Sequence, residues 1–318
     1  MPIYNSPALP DHIMVIIDNK ILKLKESHVK DSNEPILVFI YEYISPPNSV
    51  IKVNIKLVNN MIKSYDLHHI HTNMNTNMTH NIHTNNFLAL TTLFKNDYYL
   101  FPLFYNYYKE QGVQHFYMYY NGIVTPEISK IFDKPDVTLV EWNFHYWNPR
   151  GVKYVHHAQM GQMHHALYKY GKDIYEYMIF CDLDEYLHIP KNKFIESTKP
   201  TITQYSKNTL QQFIKNKPDI DIFGFCNFWA NTIEDSIPSM PHLPKKFLAV
   251  SEPVEYLERS KNIYKVSSIN TIGIHQIGYN YYCTLSGITD LNMYHFYKWS
   301  SKNRVIDNCT NIVDLDLD

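Results

Sequence analysis

The sequence predicts an α/β fold, a mainly parallel sheet flanked by helices, with a small antiparallel β domain at the N-terminus. Three observations carry that prediction. In the first 67 residues, apolar and polar residues alternate with the period of two that marks half-buried strands. From Phe87 onward, apolar runs of strand length alternate with helical stretches, the signature of an open, mainly parallel sheet. The chain is 318 residues long and 45% hydrophobic, enough to bury a large core in one large domain or two of ordinary size.

The elements are justified in chain order. "IMVIIDNKILKLK" is a hairpin turning at Asp18 and Asn19, and "VIKVNIKLV" puts Ile51, Val53, Ile55 and Leu57 on one face, with Lys52, Asn54 and Lys56 on the other. Residues 1–67 are therefore assigned to the β domain. "HHIHTNMNTNMTHNIHTNN", residues 68–86, lacks periodicity and large apolar residues and reads as a solvated linker; its low-complexity histidine spacing fixes no metal geometry. Residues 87–318 make the second domain, opening with the buried strand "FLALTTLF". Leu100, Phe104 and Tyr108 then form one helical stripe that Gly112 stops, and Pro102 fits if the helix begins close to it. "QHFYMYY", closed by Asn121-Gly122, and "VTLVEW" are the next strands. A helix from about His157 to Tyr170 turns Met160, Met163, Leu167 and Tyr170 inward and ends at Gly171, after which the strand "YMIFC" delivers the chain to Asp182.

Charge and cysteine usage narrow the function. Lys plus Arg number 29 against 31 Asp plus Glu, so no basic excess favours nucleic acid or an anionic membrane surface. Cys181, Cys226, Cys283 and Cys309 are too few and scattered for a disulfide framework, and reduced, mostly buried thiols are expected. No basic leader precedes a long apolar run and no window approaches a membrane-spanning length, so a cytoplasmic protein without a membrane anchor is expected.

The chemistry concentrates in "YMIFCDLDEYLHIP", residues 177–190, where a buried strand ends in carboxylates. On extended backbone, residues two apart point the same way, so Asp182 and Asp184 can converge while Leu183 turns into the core. Ligands of open α/β sheets bind just beyond the carboxyl ends of the strands, where this pair falls. Two carboxylates held together repel unless a cation lies between them, and a hard ion such as Mn²⁺ or Mg²⁺ suits oxygen ligands and bridges to a diphosphate. A D-x-D pair alone is common by chance. The long strand before it and the α/β pattern leading to it give it weight.

With these pieces in order, residues from about Phe87 to Arg304 resemble the family 92 glycosyltransferases, also described as domain of unknown function 23, and the GT-A fold. The likeness is carried by "LFKNDYYLFPLFYNYYKEQGVQHFYMYYNG", "VTLVEW", "HHAQMGQMHHALYKY", "YMIFCDLDEYLHIP" and "YHFYKWS" in series. The resemblance implies transfer of a sugar from a nucleotide-sugar donor, a UDP-hexose such as UDP-galactose or UDP-glucose, to a glycan or glycoprotein acceptor, with inversion and with Mn²⁺ or Mg²⁺ as cofactor. It implies nucleotide-sugar contacts at Thr91, Lys95, Asn96, Asn121, Gln159, Asp182 and Lys298, and metal ligands at Asp182 and Asp184, the motif that Glu185 extends. His295 in "YHFYKWS" resembles the late histidine that completes the metal shell, with His275 in "GIHQ" its rival. The sequence departs from the family at Phe101-Pro102, where an acid and a tryptophan are usual, and at Tyr120-Asn121, where an aspartate is usual; both bear on base recognition.

Inversion requires a base for the acceptor's proton, and Glu234 and Asp235 in "FWANTIEDS" are the candidates, with Trp229 a stacking surface for the acceptor sugar. A glycan-binding or virion component of the same fold without turnover is the competing reading. A metal-dependent nucleotidyltransferase would want a glycine-rich or basic phosphate loop, which "TTLFKND" does not offer. The heavy use of Asn, Ile, Lys and Tyr matches an AT-rich genome and is compatible with a large DNA virus that glycosylates its own products.

Overall fold

The structure is a computed structural model, and it describes residues 13–30, 36–44, 49–57, 62–68, 86–147, 157–189, 209–232, 247–251, 259–275, 283–284, 291–299 and 311–314. The chain divides into two compact units, Met1–Ile82 and His83–Asp318. In the first, β1 (Ile13–Ile17), β2 (Lys20–Ile21), β3 (Leu24–Lys30), β4 (Ile36–Tyr41), β5 (Val50–Leu57) and β6 (Ile62–His68) are all antiparallel, in a sheet of order β2-β1-β5-β6 and a separate β3-β4 pair. Asp18 and Asn19 both take positive φ in the β1–β2 hairpin, a conformation that short polar side chains tolerate. Val15, Ile17 and Val53 form the small core of this unit, on the face that the alternation marks. β6 runs through His68, so the first residue of the expected linker belongs to a strand. Most of that linker lies outside the described residues.

The second unit is built on β7 (Leu88–Phe94), α1 (Phe101–Glu110), β8 (His115–Tyr120), α2 (Pro126–Ile131), β9 (Val137–Glu141), α3 (His157–Ala166), β10 (Tyr177–Phe180), β11 (Glu185–His188), α4 (Thr209–Lys215), β12 (Ile222–Thr232), β13 (Phe247–Val250), β14 (Lys261–Lys265), β15 (Cys283–Thr284), β16 (Asn292–His295) and β17 (Asn311–Asp314). The sheet has the order β11-β16-β12-β14-β10-β7-β8-β9. Its heart is parallel, β10-β7-β8-β9, and β14 pairs antiparallel with both β10 and β12. Helices joining the parallel strands cover both faces, so β7 and β10 are buried almost throughout. Each fully buried Leu, Ile or Phe along them, such as Leu88, Leu90 and Ile179, contributes about 1.5–3 kcal/mol of transfer free energy.

Two local features set up the site. α1 begins at Phe101 with Pro102 in its first turn, where the missing N–H costs nothing, and ends before Gly112 at φ 93°. Its inward stripe carries Tyr107 and Tyr108, whose hydroxyls donate to the carbonyls of Leu187 and Glu185 at 2.6 and 2.9 Å, while the Leu187 amide donates to the Tyr108 hydroxyl at 3.0 Å. The helix therefore pins β11, the strand that leaves the acidic segment. α3 ends its regular turns at Ala166 and continues to Gly171 as a π-turn, whereas the sequence pattern reads as one regular helix to Tyr170.

Candidate active site

The acidic segment is a turn. β10 stops at Phe180, the Glu185 amide donates to the Asp182 carbonyl at 3.1 Å, and the Phe296 amide holds the Asp184 carbonyl at 2.8 Å. Leu183 points into the core, as the spacing predicts. The extended backbone expected for Asp182 and Asp184 is corrected: the chain reverses between them, because Glu185 must start a strand against β16. The two aspartates consequently meet different partners. Asp182 Oδ2 lies 3.2 Å from Lys261 Nζ and Oδ1 accepts from Gln159 Nε2 at 3.3 Å, whereas Asp184 Oδ2 lies 3.2 Å from His295 Nε2.

Glu185 joins the two halves. Its Oε2 accepts the Asp182 amide at 2.7 Å and lies 3.4 Å from Lys261 Nζ, and its Oε1 sits 3.6 Å from His295 Nδ1. Strand register explains the convergence, since Glu185 on β11 and Trp229 on β12 both stand opposite His295 on β16. Burial pushes the Glu185 carboxyl up to about 7, a shift the Lys261 ammonium opposes. Burial also disfavours charge on Lys261, but the Asp182 and Glu185 carboxylates outweigh it and hold the ammonium well above the usual lysine range. Burial, with the Lys261 ammonium, lowers His275 to about 3, so its imidazole is neutral.

A cleft opens beside this turn, lined by Thr91, Gln159, Gln162, Cys181, Asp182 and Lys261 among others. Gln159 also accepts from the Tyr146 hydroxyl at 3.0 Å, so the segment after β9 reaches Asp182 through one glutamine. Trp229 lies against the His295 ring at 4.7 Å between centroids, with the Arg259 guanidinium carbon 5.3 Å from the Trp229 ring centroid.

The chain carries the sequence pattern of glycosyltransferase family 92 across residues 88–315. It belongs to that family. No curated protein matches the chain. The family 92 match begins at β7 and leaves the N-terminal β unit outside it.

Within this family 92 domain the structure gathers Thr91, Gln159, Asp182, Asp184, His275 and His295 around one end of the sheet, with Trp229 beside them. Thr91 lines the cleft, although its hydroxyl donates to the Tyr117 carbonyl at 3.0 Å and accepts from Gln162 at 2.7 Å, which ties β7 to β8 and α3. Asn121 is buried, and its amide donates to the carbonyls of Trp142 and Phe144 at 2.8 Å each, clamping the loop after β9. Lys95 and Asn96 are exposed just past β7, and Lys298 is exposed on the turn after β16. Glu234 and Asp235 lie outside the described residues. Lys261, Gln162 and Tyr146 are the residues sequence reasoning missed. A lysine opening "KNIYK" reads as a solvated strand end, and only the pairing of β14 with β10 brings it under the acidic turn.

Whether these residues suit a divalent ion is a question of donor chemistry and spacing. Among the described residues no three His, Cys, Asp or Glu side chains are arranged around one ion. Asp184 and His295 offer an oxygen and a nitrogen 3.2 Å apart, close to the roughly 3 Å edge of an octahedral site with bonds near 2.1 Å. His295 Nδ1 is buried without a hydrogen-bond partner, and Glu185 Oε1 stands 3.6 Å from it, beyond hydrogen-bond distance, beside the ring nitrogen that does not face Asp184. The set fits an ion held by one or two protein ligands and completed by substrate phosphates and water.

Proposed function

We propose that this family 92 protein transfers a hexose from a nucleotide-sugar donor, UDP-linked in the first instance, to a hydroxyl of a glycan or glycoprotein, with inversion and with Mn²⁺ or Mg²⁺. The observation that carries the reading is the Asp184–His295 pair, 3.2 Å apart at the mouth of the sheet and backed by Glu185. Asp184 and His295 would hold the ion, which when bound supplies Lewis-acid neutralisation of the departing diphosphate. Asp182, Gln159 and Lys261 line the adjoining cleft, to which we assign the donor. Trp229 offers a half-buried aromatic face to the acceptor sugar.

In the reaction the acceptor oxygen forms a bond to the anomeric carbon as the bond from that carbon to the diphosphate oxygen breaks. The acceptor proton passes to a carboxylate. We assign that role to Glu234 or Asp235, which follow the end of β12 at Thr232 by two and three residues in sequence.

Asp184→Asn tests the reading. The variant keeps the fold, and nucleoside diphosphate release with Mn²⁺ and acceptor drops at least 100-fold; full activity in Asp184→Asn would count against the assignment. His295→Ala raises the Mn²⁺ concentration needed for half-maximal activity more than His275→Ala does, and the reverse order in metal titrations would exchange their roles.

A further inference from the structure

We propose that Lys261 is the positioning residue of the donor site: its ammonium clamps Asp182 and Glu185 and holds the acidic turn in the shape that receives a nucleoside diphosphate. The proposal rests on the reading of the cleft as the donor site.

Lysine is almost never fully buried unless paired, and the Lys261 side chain is only 3% exposed. Its Nζ sits 3.2 Å from Asp182 Oδ2 and 3.4 Å from Glu185 Oε2, and Glu185 is 2% exposed. Stability is a weak account of such a pair, because desolvating an ammonium and a carboxylate offsets most or all of their attraction, and apolar residues of similar volume commonly serve as well. Position is the better account. Lys261 is the first residue of β14, which lies between β10 and β12, so its ammonium is delivered beneath the turn by a rigid strand.

The clamp fixes Asp182 from both sides. Lys261 holds one carboxylate oxygen and Gln159 the other, and the Asp182 backbone amide is held by the same Glu185 oxygen that faces Lys261. Asp182 keeps 32% of its side chain exposed toward the cleft that Lys261 also lines. Charge points the same way. Asp182, Asp184 and Glu185 place three acids within four residues, a poor reception for a diphosphate; one fixed ammonium neutralises part of that charge and leaves Asp184 with His295 to face the cation.

Lys261→Met alone strands Glu185 without its cation, so the decisive variant is the double substitution Glu185→Gln with Lys261→Met, which removes both charges at nearly constant volume. Calorimetric titration of UDP, GDP and CDP in saturating Mn²⁺ is read beside the thermal midpoint. The expected result is a midpoint close to wild type and nucleotide affinity at least tenfold weaker, with Lys261→Arg retaining affinity within threefold. A folded double variant that binds within twofold of wild type overturns the proposal and leaves the donor reading standing. Wild-type protein that binds none of the three nucleotides overturns the donor reading and the proposal with it. Asp182→Asn supplies a second arm that keeps Lys261 paired with Glu185: affinity within twofold of wild type overturns the clamp, even where the double variant does not fold.

Discussion

His165 shows how a single residue takes its protonation state from its surroundings. Burial among Tyr119, Trp142 and Tyr170, aided by the Lys169 ammonium, lowers its imidazole to about 4, and the Tyr119 hydroxyl lies 2.7 Å from its Nδ1. Its pKa in the unfolded chain is about 6.5. Above that value neither state is protonated at His165 and its full contribution to stability is present. As pH falls, the unfolded chain takes up the proton first, so stability declines until the folded imidazole titrates near 4. The thermal midpoint should therefore fall between about pH 6.5 and 4, and His165→Gln should flatten that slope; an unchanged slope would show that His165 does not contribute. Residue-level legibility was uneven. Leu183, between the aspartates, is buried as expected, although on a turn and not on the extended backbone that the expectation assumed, whereas Lys261 carries no local mark, because its burial depends on Glu185 and Asp182, distant from it in sequence.

Among the elements, α1 links sequence pattern to site geometry. Its apolar stripe is plain in Leu100, Phe104 and Tyr108, yet the stripe does not reveal that the Tyr108 hydroxyl bridges the Glu185 carbonyl and the Leu187 amide. Tyr108→Phe removes a buried group that satisfies two backbone partners, at a cost of roughly 1–3 kcal/mol. Urea unfolding should show a lower midpoint with an unchanged slope; a midpoint equal to wild type would mean that other groups satisfy β11. The turn at Asp182–Glu185 follows the same logic. Local sequence favours continued strand through "YMIFCDLDEYLH", and the reversal is imposed by pairing of Glu185–His188 with Asn292–His295, a partner more than a hundred residues away.

On the scale of the whole molecule, the two units have separate apolar cores, one around Val15, Ile17 and Val53 and one around Leu88, Ile179 and Phe296. A fragment spanning residues 83–318 should fold cooperatively and bind nucleoside diphosphate with Mn²⁺ within threefold of the full chain; a fragment that does not fold would show that the second unit is not independently stable. Sequence by itself determined the α/β class, the antiparallel N-terminal strands, the parallel run β7 to β10 and the position of the acids at its end, because periodicity, glycine stops and apolar runs are local properties. Tertiary structure alone decided that Asp182 faces a lysine and that His295, not its rival His275, faces Asp184. Those partners come from β14 and β16, and which strand lies beside which is settled by burying one common core, a quantity no short window of residues contains.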